Sequence, residues 1–129
     1  MIKFDVPLYV EKNKKGDKWW LNLNNYRNTH YQTLNNVKKK FKEVITEKVL
    51  TLNLIQEPIK VTYTVYPPTK RLFDMDNMAV LSKFTGDAIV ELGRLEDDNY
   101  NWIPEVTFKF GSVDKDNPRC EVEIERITQ

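Results

Sequence analysis

The sequence predicts one compact α/β domain of the α+β kind, a mixed β-sheet packed against two main helices. Three observations carry this expectation. Short runs alternate apolar and polar residues, two longer stretches carry apolar residues at helical spacing, and 129 residues with 40% hydrophobic content suffice for a single core. Residues 1–129 therefore read as a single domain.

Ile2-Lys3-Phe4-Asp5-Val6 alternates and continues through Pro7-Leu8-Tyr9-Val10, which predicts a first strand. Glu11 to Asp17 is a polar turn with Gly16 as its residue of positive φ. Trp19-Trp20-Leu21 predicts a short returning strand, with one ring in the core and one covering it; a base-stacking platform is the alternative use. Asn22 to Tyr31 is polar and aromatic, so it can face a substrate or turn the chain into a helix capped at Asn28 or Thr29. His30 reads as a structural or surface residue rather than a ligand. From Tyr31 to Leu50 the residues Leu34, Val37, Phe41, Val44, Ile45 and Val49 line one face of a helix.

Ile59, Val61, Tyr63 and Val65 alternate with Lys60, Thr62, Thr64 and Tyr66 in the clearest strand of the chain, which Pro67-Pro68 stops. Met78, Leu81, Thr85, Ile89 and Leu92 form the buried stripe of a second long helix. Asp76 or Asn77 can cap it and Gly93 can close it. Gly86 inside this helix costs about 1 kcal/mol relative to alanine and so marks a place of close packing. Val106, Phe108 and Phe110 predict another strand. Cys120, Val122 and Ile124 predict the last one, with Glu121, Glu123 and Glu125 as an acidic outer side that would repel DNA.

No apolar run approaches a membrane span and Met1 to Asp5 lacks the apolar core of a signal peptide, so a cytoplasmic protein with no membrane partner is expected. The single cysteine, Cys120, excludes an intrachain disulfide and reads as a small core residue. With one cysteine and one histidine, any metal site must be built from oxygen, which suits magnesium or manganese. The net charge of +1 hides an asymmetry: residues 11–48 hold ten Lys/Arg against four Asp/Glu, and residues 74–129 hold six against thirteen. Either two solvated faces of opposite sign result, or a basic surface holds a polyanion while an acidic pocket holds metal ions.

The stretch Lys70-Arg71-Leu72-Phe73-Asp74-Met75-Asp76-Asn77 concentrates the chemistry. Asp74 and Asp76, one residue apart in an extended segment, point to the same side and can reach one cation. Lys83 stands two turns further along the same helical face. Asp98, with Asp97 beside it, lies past the helix end. Each feature also has an ordinary reading: a cap for Asp76-Asn77, a solvated turn for Asp97-Asp98-Asn99, and an i,i+4 partner for Lys83 in Asp87. Their combination with Lys70 and Arg71 points to phosphodiester chemistry, which needs cations beside an acidic metal cage.

Basic-x-x-Asp-Met-Asp-Asn, a helix with Lys83 and Gly86-Asp87-Ala88, then Glu91-Leu92-Gly93 and Asp97-Asp98-Asn99, resembles the RusA-like family of Holliday-junction resolvases, common in phages and prophages. The resemblance is strongest over residues 59–110; Asn24-Asn25-Tyr26-Arg27 is similar to the family's polar N-terminal loop. It implies a small α/β homodimer, phage- or prophage-encoded and acting in the bacterial cytoplasm, that binds four-way or branched DNA. Such an enzyme cuts two opposing strands with Mg2+ or Mn2+ in recombination and repair. By position, Asp74, Asp76 and Asp98 match the family's essential carboxylates and metal ligands, with Asp97 as a further candidate ligand. Lys83 matches the essential lysine by its spacing to Asp98, although the family lysine commonly stands where this chain has Val80. Lys70, Arg71, Arg27, Lys38, Lys39 and Lys42 are the candidate contacts to the DNA backbone. Two other readings are a non-catalytic DNA-binding or regulatory protein on the same scaffold and a nuclease of broader flap or branched-DNA specificity.

Overall fold

The computed structural model describes residues 2–127. Its elements run β1 (Ile2–Val6), β2 (Tyr9–Glu11), β3 (Lys18–Trp20), α1 (Leu23–Asn28), α2 (Tyr31–Leu50), β4 (Ile59–Tyr66), a 3-10 turn (Met75–Asn77), α3 (Met78–Glu91), β5 (Glu105–Phe110) and β6 (Arg119–Arg126). Four strands form a mixed sheet in the order β1-β6-β4-β5, and β2 pairs with β3 in a separate hairpin. β4 is antiparallel to β6 and parallel to β5. The parallel pair needs a crossover, and α3 supplies it as the helix of a βαβ unit. The expected α+β domain with two main helices is what forms. Among the described residues no helix is long and apolar enough to cross a membrane.

Alternation decides which face of the sheet is covered. Ile59, Val61, Tyr63 and Val65 of β4 are buried with Cys120, Val122 and Ile124 of β6, and α2 and α3 close over them. Burial and the nearby Asp5 and Glu121 push the Cys120 thiol up to about 12, so it is an inert core group. α2 starts and ends where its periodicity predicts and buries Val37, Phe41, Ile45 and Val49, whereas Val44 is exposed. α3 buries Met78, Leu81, Thr85 and Ile89, and Gly93 at φ +78° ends it.

Phe84 of α3 is the centre of this packing. Its ring stacks on Trp19 at 5.7 Å and takes the edges of Phe41 at 5.6 Å and Tyr26 at 6.3 Å. One side chain thus joins the hairpin, α1, α2 and α3. Trp19 is fully engaged, its indole N–H donating to Thr29 Oγ1 at 2.9 Å, while Trp20 lies half-buried against Tyr9.

Several expectations are corrected. The first strand does not run through to Val10. It stops at Pro7, which has no N–H for a ladder, and Tyr9–Glu11 joins the second sheet. Asn22 to Tyr31 holds a short helix, α1, capped by Asn22 Oδ1 on the Asn25 N–H at 2.8 Å, and α2 is capped by His30 rather than Asn28 or Thr29. The acidic side of β6 is not an open anionic face. Glu121 and Glu123 are partly buried and lie 3.2 and 3.6 Å from Lys3 Nζ, Glu125 lies 3.6 Å from Lys60, and Arg119 reaches Glu121 at 3.2 Å. Charge segregated along the sequence is therefore mixed in space.

Replacing Phe84 with alanine should destabilise the domain by about 3–5 kcal/mol. Urea unfolding followed by tryptophan fluorescence measures this, and a loss below about 1 kcal/mol would remove Phe84 from the centre of the core.

Candidate functional site

Chain leaves β4 at its carboxyl end, the side on which ligands bind in parallel α/β sheets. That exit is held from two directions. Pro67 is buried and its carbonyl accepts from the Asp114 N–H at 2.8 Å. Arg119 stacks over the Tyr66 ring at 4.1 Å while donating to Asp114 Oδ2 at 2.8 Å. A side chain at Gly111 would run into the Tyr66 ring, so glycine there allows the β5–β6 loop to pass close.

Asp74 and Asp76 sit together on the tight turn that opens α3. The turn is 3-10, with Asp74 as its extended cap and Asp76 inside it. This corrects the expected extended pair, since only Asp74 keeps an extended backbone and Asp76 has entered the turn. Neither carboxylate is used for capping, since α3 and the 3-10 turn have no side-chain cap bond. Among the described residues, neither makes an ion pair or a side-chain hydrogen bond, and both residues are exposed. Asn77 has the structural role instead. Its Oδ1 accepts from the Leu23 N–H at 2.9 Å, tying the start of α1 to the start of α3.

Asp98 approaches α3 from the following loop. Its Oδ2 lies 3.1 Å from where a Cβ on Gly86 would stand, so the absence of that Cβ lets the carboxylate rest on the helix. The close packing expected at Gly86 is therefore packing by Asp98. Asp97 shapes the turn: its carboxylate accepts from the Asp98 N–H at 2.7 Å and from the Asn99 side chain at 3.1 Å. Burial against α3, then the like charges of Asp87 and Asp97, hold the Asp98 carboxyl above the usual carboxylate range.

The cations divide into spent and unspent groups. Lys83 Nζ is 3.6 Å from Asp87 Oδ2, the ordinary i,i+4 pair, and Lys38 reaches the same oxygen from α2 at 3.8 Å. Lys42 pairs with Glu91 at 3.0 Å. Lys38, Lys39 and Lys42 line a groove of about 390 Å³ between α2 and α3, but Asp87 and Glu91 line it too and offset its charge. Arg27, Lys39, Lys70 and Arg71 are exposed and unpaired among the described residues.

The donors suit a hard divalent cation in kind, being carboxylate oxygens that at Asp74 and Asp76 have no competing partner among the described residues. Among the described residues, however, no three histidine, cysteine, aspartate or glutamate side chains gather closely enough to hold one ion. Magnesium is commonly held by one or two carboxylates together with water and substrate phosphate, which the turn at Asp74 and Asp76 can supply. Neither the family models nor the curated proteins include a match to this chain.

The raised Asp98 carboxyl gives a pH test. A group whose proton affinity rises on folding contributes stability below its unfolded pKa and loses that contribution as pH rises through its folded pKa. Asp98→Asn should therefore be more stable than the parent at pH 7, with the difference shrinking as pH falls through the carboxylate range. Thermal unfolding of both proteins between pH 4 and pH 8 measures it; a variant less stable at pH 7 would make Asp98 a structural ligand of the loop.

Proposed function

We propose that this chain is a divalent-metal-dependent endodeoxyribonuclease that cuts branched DNA, resolving four-way junctions as the RusA-like resolvases do. The observation that carries the reading is the pair of unspent carboxylates, Asp74 and Asp76, at the carboxyl end of β4. Lys70 and Arg71, exposed and unpaired among the described residues, stand four and three residues before Asp74. Aspartates at a helix start often serve as caps; here Asn77 makes the tertiary bond, and among the described residues neither aspartate caps the helix.

In this reading Asp74 and Asp76 hold Mg2+ or Mn2+ together with water and a substrate phosphate, while Asp98 lies further along α3, against Gly86. The ion, when bound, lowers the pKa of a water and offsets charge on the scissile phosphate. Asp98 is held in place by Gly86 and by the Asp97 turn, at a cost from like charges that a cation would relieve. Lys83 is shared with Asp87 and can turn to a phosphate oxygen at little cost, because an exposed i,i+4 pair is weak. Lys70, Arg71 and Arg27 take the DNA backbone. Two opposed cuts on a two-fold junction call for two sites, which a C2 homodimer supplies.

That no three carboxylates gather among the described residues favours one other reading, a non-catalytic DNA-binding protein on this scaffold. Incubation with a labelled synthetic four-way junction and a linear duplex, in Mg2+, Mn2+ or EDTA, separates the two. Paired symmetric nicks confined to the junction and lost in EDTA are expected; binding without cutting in either metal supports the non-catalytic protein.

Two further outcomes are specific to the residues. Asp76→Asn should abolish cleavage while leaving junction binding in EDTA intact, and retained cutting would remove Asp76 from the chemistry. Replacing Lys70 and Arg71 together with alanine should flatten the dependence of log K on log salt by about 2 in slope, as expected for two lost phosphate contacts. An unchanged slope would put the DNA elsewhere.

A further inference from the structure

The two most exposed large hydrophobic side chains among the described residues are Leu72, at 97%, and Tyr100, at 80%. Isolated surface hydrophobics are ordinary. The position of these two is not, because each stands two residues from a candidate carboxylate, Leu72 before Asp74 and Tyr100 after Asp98.

Both are presented from anchored loops. Leu72 is followed by Phe73, which packs against the core, and its loop leaves buried Pro67, fixed by the Asp114 N–H. Tyr100 sits in a turn that Asn99 closes three times: its carbonyl accepts from the Trp102 and Ile103 N–H groups at 3.0 and 2.8 Å, and its Oδ1 from the Asn101 N–H at 3.0 Å. Trp102 then packs against the core. Phe73, next to Leu72, and Trp102, two residues past Tyr100, pack against the core while Leu72 and Tyr100 project into solvent. Ordering cost on binding is low for groups held out in this way.

We propose that Leu72 and Tyr100 are the base-contacting pair of this site, an aliphatic wedge and an aromatic stacker that take bases unstacked at a DNA branch point. This rests on the reading of the chain as a DNA endonuclease and extends it to how branched DNA is distinguished from duplex. Chemistry selects the occupant. An apolar side chain preceded by two cations unpaired among the described residues, Lys70 and Arg71, matches a base face next to backbone phosphates. Leucine serves as a wedge between base steps, and tyrosine offers a stacking face to any base. Continuous duplex presents no free base face, so neither group gains from it.

The test uses a variant carrying Leu72→Ser and Tyr100→Ser. Both positions are exposed, so the variant should keep the parent's melting temperature. In EDTA, a four-way junction with 2-aminopurine at the branch point and a linear duplex with the same label are titrated with each protein. The parent should raise fluorescence on the junction. The variant should lose that rise and bind the junction roughly tenfold more weakly, with duplex affinity unchanged.

A variant that retains both the fluorescence rise and the junction affinity overturns the proposal, as does an equal loss on junction and duplex. Cleavage of the same junction by the parent in Mg2+ separates this from the underlying reading. If the parent cuts and the variant unstacks bases equally well, only the base-contacting role falls. If the parent unstacks bases without cutting, the role stands and the nuclease falls. A parent that neither binds nor cuts the junction overturns both.

Discussion

Aromatic packing around Phe84 is the constraint on which the remaining geometry rests. Its ring joins the hairpin, α1 and α2 to α3, through Trp19, Tyr26 and Phe41. α3 in turn carries Lys83 and Gly86, begins at the turn holding Asp74 and Asp76, and receives Asp98 on its surface. Buried aromatic rings supply large apolar area with defined relative orientations. That combination lets a small domain hold one helix in a fixed position while its charged groups remain on loops.

Polar groups around α3 show a consistent division between holding the fold and standing free. Asn77 anchors α1 whereas the adjacent Asp76 has no side-chain partner among the described residues; Asp97 builds its turn whereas the adjacent Asp98 lies among like charges. Lys38 and Lys42 tie α2 to α3, whereas Lys70 and Arg71 pair with nothing among the described residues. Leaving exposed carboxylates and cations unmatched costs the domain little, since a surface ion pair contributes about 0–1 kcal/mol.

Most of the scaffold was legible in the sequence. Strand β4 and helix α2 follow from strict periods of two and of 3.6, because each buries a full face and no tertiary partner competes with the pattern. Gly16 and Gly93 adopt the positive φ their turns require. β5 was legible as a strand from Val106, Phe108 and Phe110, but not as an edge. Val106 and Phe110 remain 45% and 55% exposed there because cover is a property of neighbours.

The chain by itself determined which residues alternate, which carry charge and which could be ligands, since those depend on residue type and spacing alone. Tertiary structure decided how they are used. His30 rather than Asn28 caps α2, Glu121 and Glu123 are neutralised by Lys3 from a strand far away in sequence, and Gly86 is spared a side chain for the sake of Asp98. Each of these turns on an interaction between distant segments. Coulombic and hydrogen-bond energies depend on distance and solvent exposure in space, and only the folded chain sets either.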